Sequence, residues 1–158
     1  MKRFKTLPYI TSLALLFLFS CSSDDGGSGS NNSGLELVGN WVLSAVNVSS
    51  AIDANNDGES SFNLLDETTC LRESITLKQD FTWSSSAVNA DLISAITGNL
   101  YNVSCSSNLN TIGTWGFTGS NLVMAGAGTR TLFYDGTKLI ETLGNDLPGI
   151  QSLVFERQ

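Results

Sequence analysis

The feature that most constrains the fold is an alternation of apolar and polar residues along the last two thirds of the chain. It is clearest in Leu71–Lys78, where apolar residues fall mostly at odd positions and polar residues at even ones, as in a half-buried strand. Asp135-Gly136 predicts a tight hairpin turn between Thr131–Tyr134 and Leu139–Thr142. Short strands separated by turn residues predict an all-β domain, either a sandwich or a closed barrel.

One segment departs from this alternation. Val88, Leu92 and Ile96 are spaced four residues apart, Asn89 is a candidate N-cap, and a glycine follows shortly after Ile96. This pattern predicts one short helix near residues 89–97.

The first twenty residues have the composition of a secretory signal peptide. Lys2, Arg3 and Lys5 form a basic start, and an apolar run follows over Ile10–Phe19. That run is shorter than the roughly 20 residues needed to span a bilayer. The alternative is a short uncleaved anchor or a buried helix.

The end of this segment, Leu18-Phe19-Ser20-Cys21, resembles the lipobox of bacterial lipoproteins. The resemblance implies cleavage after residue 20 and acylation of the Cys21 thiol, palmitate being one of the chains attached. Residues 21–34 would then be a lipidated cysteine and a flexible Ser/Gly/Asn/Asp tether, and residues 35–158 the folded domain. We expect an outer membrane lipoprotein on the periplasmic or the cell-surface face. Ser22–Asp25 resembles the acidic signals that export some lipoproteins to the cell surface, but an ordinary polar tether would look the same.

The remaining two cysteines then form an even set. An exported protein meets an oxidising compartment, which predicts a disulfide between Cys70 and Cys105. The alternative is a pair of unpaired thiols, since the sequence does not show that the two meet in space.

The charge balance argues against one class of partner. The chain has 8 basic and 15 acidic residues and a formal charge of −7. Loss of the signal segment would remove three basic residues and leave a charge of −10. So acidic a chain repels phosphates, which excludes nucleic acid as a partner, and membrane contact is expected through the lipid alone.

The opening strand carries a Gly-x-Trp motif, Gly39-Asn40-Trp41, and the closing strand ends with Arg157. With the segments between them, these motifs resemble the lipocalin-like domains of small bacterial lipoproteins. The resemblance implies a small antiparallel barrel of about eight strands, in which Gly39, Trp41 and Arg157 close one end, the arginine stacking over the tryptophan. The alternative is an unrelated β-sandwich with tryptophans in its core. The matching segments, in order, are Gly39–Trp41, Ile75–Thr82, Gly113–Trp115 and Phe155–Arg157.

A possible cation site follows the first strand. The spacing of acidic and amide residues before Gly58 matches the first half of an EF-hand calcium loop. The last ligand position holds Leu64 instead of glutamate, although Asp66 and Glu67 follow closely. The same pattern also occurs in Asx turns that bind no metal. The candidate Ca²⁺ ligands are Asp53, Asn55, Asp57, Glu59 and Ser61.

The residue types argue against catalysis. The chain contains no histidine, which excludes Ser-His-Asp and Cys-His triads and the usual catalytic zinc sites. It also lacks the nucleophile-elbow, Walker and dinucleotide-binding motifs. A carboxylate-based hydrolase is a third alternative. The sequence therefore predicts a non-enzymatic binding module for a small apolar or amphiphilic ligand. The alternative is a structural or adhesion subunit of the cell envelope, with calcium as a possible brace.

Overall fold

A computed structural model describes residues 34–94, 101–144 and 149–158. Over these residues the chain is nearly all-β, and eight antiparallel strands close into a small barrel, which confirms the predicted fold class. The elements in chain order are a 3₁₀ turn (Leu35–Leu37), β1 (Gly39–Ile52), β2 (Ser61–Asn63), α1 (Leu64–Glu67), β3 (Arg72–Leu77), β4 (Thr82–Val88), β5 (Ala90–Ser94), β6 (Tyr101–Cys105), β7 (Leu109–Thr118), β8 (Asn121–Ala125), β9 (Thr129–Tyr134), β10 (Lys138–Thr142) and β11 (Ile150–Arg157).

The barrel closes through its first and last strands. Its order is β11-β10-β9-β8-β7-β4-β3-β1, and β1 pairs again with β11, so that Trp41 lies opposite Arg157. Three strands of the described residues lie outside the ring: β2 pairs with β1, and β5 and β6 pair with each other. Closure leaves the barrel strands without unpaired edges, which stabilises a sheet of this size.

The alternation in sequence determines which side chains fill the barrel. In β3, Glu73, Ile75 and Leu77 are buried while Arg72 and Ser74 are exposed. The same pattern continues around the ring and produces one continuous apolar core. Its buried members are Leu37, Trp41, Leu43, Val46, Val48, Ile52, Leu64, Ile75, Leu77, Trp83, Trp115, Leu122, Met124, Leu132, Leu139 and Phe155.

The predicted helix near residues 89–97 is wrong. Ala90–Ser94 is strand β5, paired with Tyr101–Cys105, and residues 95–97 lie outside the described residues. Asn89 caps no helix; its backbone carbonyl accepts a hydrogen bond from the Ser106 N–H at 2.8 Å. A segment this short gains little from helical spacing alone, and pairing with a second strand satisfies the same backbone groups.

The short helix of the described residues lies elsewhere, at Leu64–Glu67. The side chain of Asn63 caps it by accepting a hydrogen bond from the Leu65 N–H at 3.2 Å. Leu64 is fully buried, and a Glu67 carboxylate oxygen accepts a hydrogen bond from the Ala54 N–H at 3.0 Å. This helix therefore holds the segment that follows β1 against the barrel. None of the helices in the described ranges is long and apolar enough to cross a membrane.

Candidate ligand-binding site

One end of the barrel is sealed by Trp41 and Arg157. The Arg157 guanidinium lies over the Trp41 ring, 4.7 Å from its centroid. The guanidinium also donates to the Val38 carbonyl at 2.9 Å and to the Glu36 carbonyl. The Trp41 indole N–H donates to the Leu37 carbonyl at 2.8 Å, so the 3₁₀ turn is tied across this end.

Gly39 is favoured at this end by its backbone conformation, and it lies directly beside Arg157. Its φ is 143°, and a Cβ there would lie 3.2 Å from Nη1 of Arg157. The three residues that the sequence assigned to closing the barrel, Gly39, Trp41 and Arg157, therefore lie in one cluster. Further aromatic side chains, Trp115, Phe117 and Tyr134, fill the space beside them.

Among the described residues, the opposite end of the barrel is open. A cavity of about 440 Å³ enters the barrel there. Its apolar lining includes Trp83, Leu109, Leu143 and Leu153. Leu109 and Leu143 are about half exposed, at 49% and 51%, so they present an apolar surface at the mouth. The volume lies within the range of about 300–1,000 Å³ typical of small-molecule pockets.

Three charged side chains also line this cavity: Glu73 on β3, Arg130 on β9 and Glu141 on β10. Arg130 donates from Nη1 to Glu73 Oε1 at 2.5 Å and from Nη2 to Glu141 Oε2 at 2.6 Å. Its Nε–H is shared between the two oxygens of Glu141, each at 3.1 Å. The side chains of Glu73 and Glu141 are about nine-tenths buried, and the Arg130 side chain is 25% exposed.

This cluster spans the interior of the barrel. Strands β9 and β3 are four positions apart in either direction around the ring, so Arg130 and Glu73 come from opposite walls. Toward the sealed end, the interior is packed with apolar side chains such as Leu132 and Ile75, both fully buried. The ion cluster therefore lies between the packed part of the barrel and the open cavity.

The environment of Arg130 keeps it charged. Burial opposes the charged form, but the hydrogen bonds from Arg130 to Glu141 and Glu73, and the charges of these two residues, outweigh that effect and raise the pKa of the guanidinium above its ordinary value. Phe155 lies beneath the group, with its ring centroid 5.8 Å from the guanidinium carbon. Two carboxylates and one guanidinium give this cluster a formal charge of −1.

The sequence did not predict this cluster, because its members are far apart in the chain. A signal was nevertheless present. Glu73 stands between Leu71 and Ile75 at an inward position of its strand, where the alternation calls for an apolar residue. Glu141 lies in the same way between Leu139 and Leu143. Charged residues at inward strand positions indicate either a polar cavity or a buried ion pair.

The disulfide predicted between Cys70 and Cys105 is confirmed, with 6.2 Å between the two Cα atoms. Cys70 precedes β3, and Cys105 ends β6, the second strand of the hairpin that projects beyond β4 and β7. The bond therefore anchors the base of the β5–β6 hairpin beside the start of β3, at the open end. In the chain-entropy picture, a closed loop with a sequence separation of 35 contributes about 4 kcal/mol.

The candidate calcium residues lie in the turn that follows β1. Both carboxylate oxygens of Asp53 accept backbone hydrogen bonds, one from the Asp57 N–H at 3.1 Å and one from the Gly58 N–H at 3.0 Å. The side-chain amide of Asn55 donates a hydrogen bond to an Asp57 carboxylate oxygen at 2.9 Å. These contacts form an Asx-type turn, an arrangement that fits both an empty turn and the first half of a calcium loop.

The residues in the second half of this loop make hydrogen bonds of a different kind. The Ser61 hydroxyl donates to Asp66 at 2.7 Å, and Glu67 is held by the Ala54 N–H. The Glu59 N–H donates to Asp57 at 2.8 Å. Among the described residues, no group of three or more His, Cys, Asp or Glu side chains is arranged to hold a metal ion. Calcium binding stays a prediction.

Comparison with known proteins gives no family. No protein-family model, no curated protein and no solved structure matches this chain. Cys21 lies outside the described residues. Function is therefore inferred from the barrel and its cavity.

Proposed function

We propose that this chain is a membrane-anchored, lipocalin-like binding module that holds a small amphiphilic molecule in its barrel. The observation that carries the proposal is the cavity of about 440 Å³ at one end of a barrel whose other end is packed and sealed. A protein built only as a filled structural barrel has no need of a cavity this large, since interiors normally pack without voids. The lining combines apolar walls with a few polar groups, as in small-molecule pockets.

The proposed anchor is the lipid on Cys21. Gly34, the first described residue, is packed against Trp115 and Phe117 at the sealed end. The described part of the chain therefore begins at the end of the barrel opposite the mouth. Replacing Cys21 (Cys21→Ser) should move the protein from the membrane fraction to the soluble fraction in its host. Retention of the variant in the membrane would contradict lipid anchoring.

A binding assay tests the cavity. The neutral probe N-phenyl-naphthylamine gains fluorescence in apolar sites, and Trp83 in the cavity wall is a nearby energy donor. We expect saturable binding that Ala87→Phe abolishes, because Ala87 lines the cavity. The matched control is Ser84→Phe, which places the same side chain on the neighbouring outer groove. Equal loss in both variants, or no saturable binding to the native protein, would contradict the proposal.

A second candidate is a structural or adhesion subunit of the envelope. It is favoured by two apolar side chains exposed on the outer faces of adjacent strands, Val123 on β8 (40%) and Phe133 on β9 (48%). Calcium in the loop at Asp53–Ser61 would brace such a subunit. Thermal unfolding with and without millimolar calcium tests the brace: an unchanged midpoint removes the metal from this account, whereas the Asp57→Asn variant should lose any rise that occurs.

A further inference from the structure

We propose that the cavity selects a ligand whose polar end is a cation, such as an alkylammonium group. This inference rests on the proposed binding function and names the class of ligand. Its basis is the charge balance of the Glu73–Arg130–Glu141 cluster, in which two carboxylates face a single guanidinium.

The guanidinium is already engaged. Its Nε, Nη1 and Nη2 atoms all donate to Glu73 or Glu141, at distances from 2.5 to 3.3 Å. A bound anion would have to compete with two carboxylates that hold Arg130 on both sides, and would itself approach those carboxylates. Arg130 therefore does not provide an anion site.

The carboxylates keep capacity for a further donor. Each ionised carboxylate accepts about four hydrogen bonds, and Arg130 supplies fewer than that to Glu73 or to Glu141. An alkylammonium group brings three N–H donors, no acceptor and one positive charge. It would complete the unused acceptor positions and bring the formal charge of the cluster from −1 to zero.

The rest of the cavity fits the other end of such a ligand. Leu109 and Leu143 line the cavity at its mouth, and Leu153 lines it beside Glu141, its partner in the sheet. An alkyl chain would lie against these leucines while its charged group contacts the cluster. Arg72 lines a smaller neighbouring cavity of about 160 Å³ and is exposed. Its charge is screened by solvent more strongly than the charges of the nine-tenths buried glutamates.

The test compares three ligands with the same chain and different ends: decylammonium, decanol and decanoate, at pH 7. Each displaces N-phenyl-naphthylamine from the full-length protein. We expect decylammonium to bind most tightly, decanol next and decanoate least, with about a tenfold ratio between the two ions at low salt. The ratio should fall as ionic strength rises.

A pair of variants assigns the preference to the cluster. Glu141→Gln removes one of the two negative charges and should bring the ratio between decylammonium and decanoate close to one. Glu36→Gln removes the same charge from an exposed side chain at the sealed end and should leave the ratio unchanged. The comparison of the three ligands on the native protein needs no variant, so it stands even if Glu141→Gln fails to fold.

The outcomes separate the two proposals. If the probe binds and decanoate competes as well as decylammonium, or better, the inference is wrong while the binding function stands. Any other order of the three ligands also overturns it. If neither the probe nor any of the three ligands binds, the proposed function fails and the inference fails with it.

Discussion

Removal of the cation at the centre of the barrel gives the sharpest test of the structure. In Arg130→Met, Glu73 and Glu141 would face each other in the interior without a counter-charge. Breaking a buried ion pair from one side costs about 3–5 kcal/mol, because an uncompensated charge is left behind. The cluster lines an open cavity and Arg130 is 25% exposed, so we expect the low end, about 3 kcal/mol.

Urea unfolding followed by tryptophan fluorescence measures this loss. With a slope of about 2 kcal/mol per molar urea, the midpoint should fall by roughly 1.5 M. The matched control is Lys138→Met, which breaks the exposed ion pair of Lys138 with Glu156 at 2.8 Å. Loss of that exposed pair should shift the urea midpoint far less than Arg130→Met does, because solvent screens both charges.

A triple variant identifies the cause. Adding Glu73→Gln and Glu141→Gln to Arg130→Met removes the facing charges and should restore most of the stability. A loss no greater than that of Lys138→Met, or one that the two glutamine substitutions do not restore, would refute the view that charge compensation holds this cluster together.

Three other predictions concern the disulfide, the sealed end of the barrel and one exposed carboxylate. Replacing Cys70 and Cys105 together by alanine should lower the free energy of unfolding by about 4 kcal/mol, and reductant should destabilise the native protein in the same way. An unchanged urea midpoint in the variant would contradict this prediction. Arg157→Met should cost about 1–3 kcal/mol and make the Trp41 indole more accessible to acrylamide, since stacking and two carbonyl contacts are lost; unchanged quenching would argue against the seal. Backbone hydrogen bonds from Thr137 and then Lys138 lower the pKa of Asp135 below its ordinary 3.8. The Asp135 carboxylate therefore stabilises the fold above pH 3.8, and this contribution is lost as the pH falls through the folded-state pKa. A carbon-detected NMR titration should find Asp135 below 3.8, and a value at or above 3.8 would disprove the assignment.

The pattern of side chains along the chain was sufficient for the fold class and for parts of the architecture. Period-two alternation determines which face of a strand is apolar wherever one face is buried, so the all-β class followed from local sequence. The choice of a barrel over a sandwich came from the resemblance to lipocalin-like domains. The hairpin at Asp135-Gly136 was also local, because Gly136 adopts a φ of 105° that glycine readily supplies. The disulfide followed from the number of cysteines and the expected compartment.

The tertiary structure decided what local patterns do not encode. The strand at Ala90–Ser94 exists because it pairs with Tyr101–Cys105, and spacing within one segment does not specify such a partner. The cavity and its ion cluster depend on closure of the ring, which brings Arg130 within reach of Glu73 across the barrel although 57 residues separate them. A charged residue at an inward strand position indicates, from the sequence alone, that another group must compensate its charge. Only the closed barrel shows which residues do so, because the partner comes from the opposite wall.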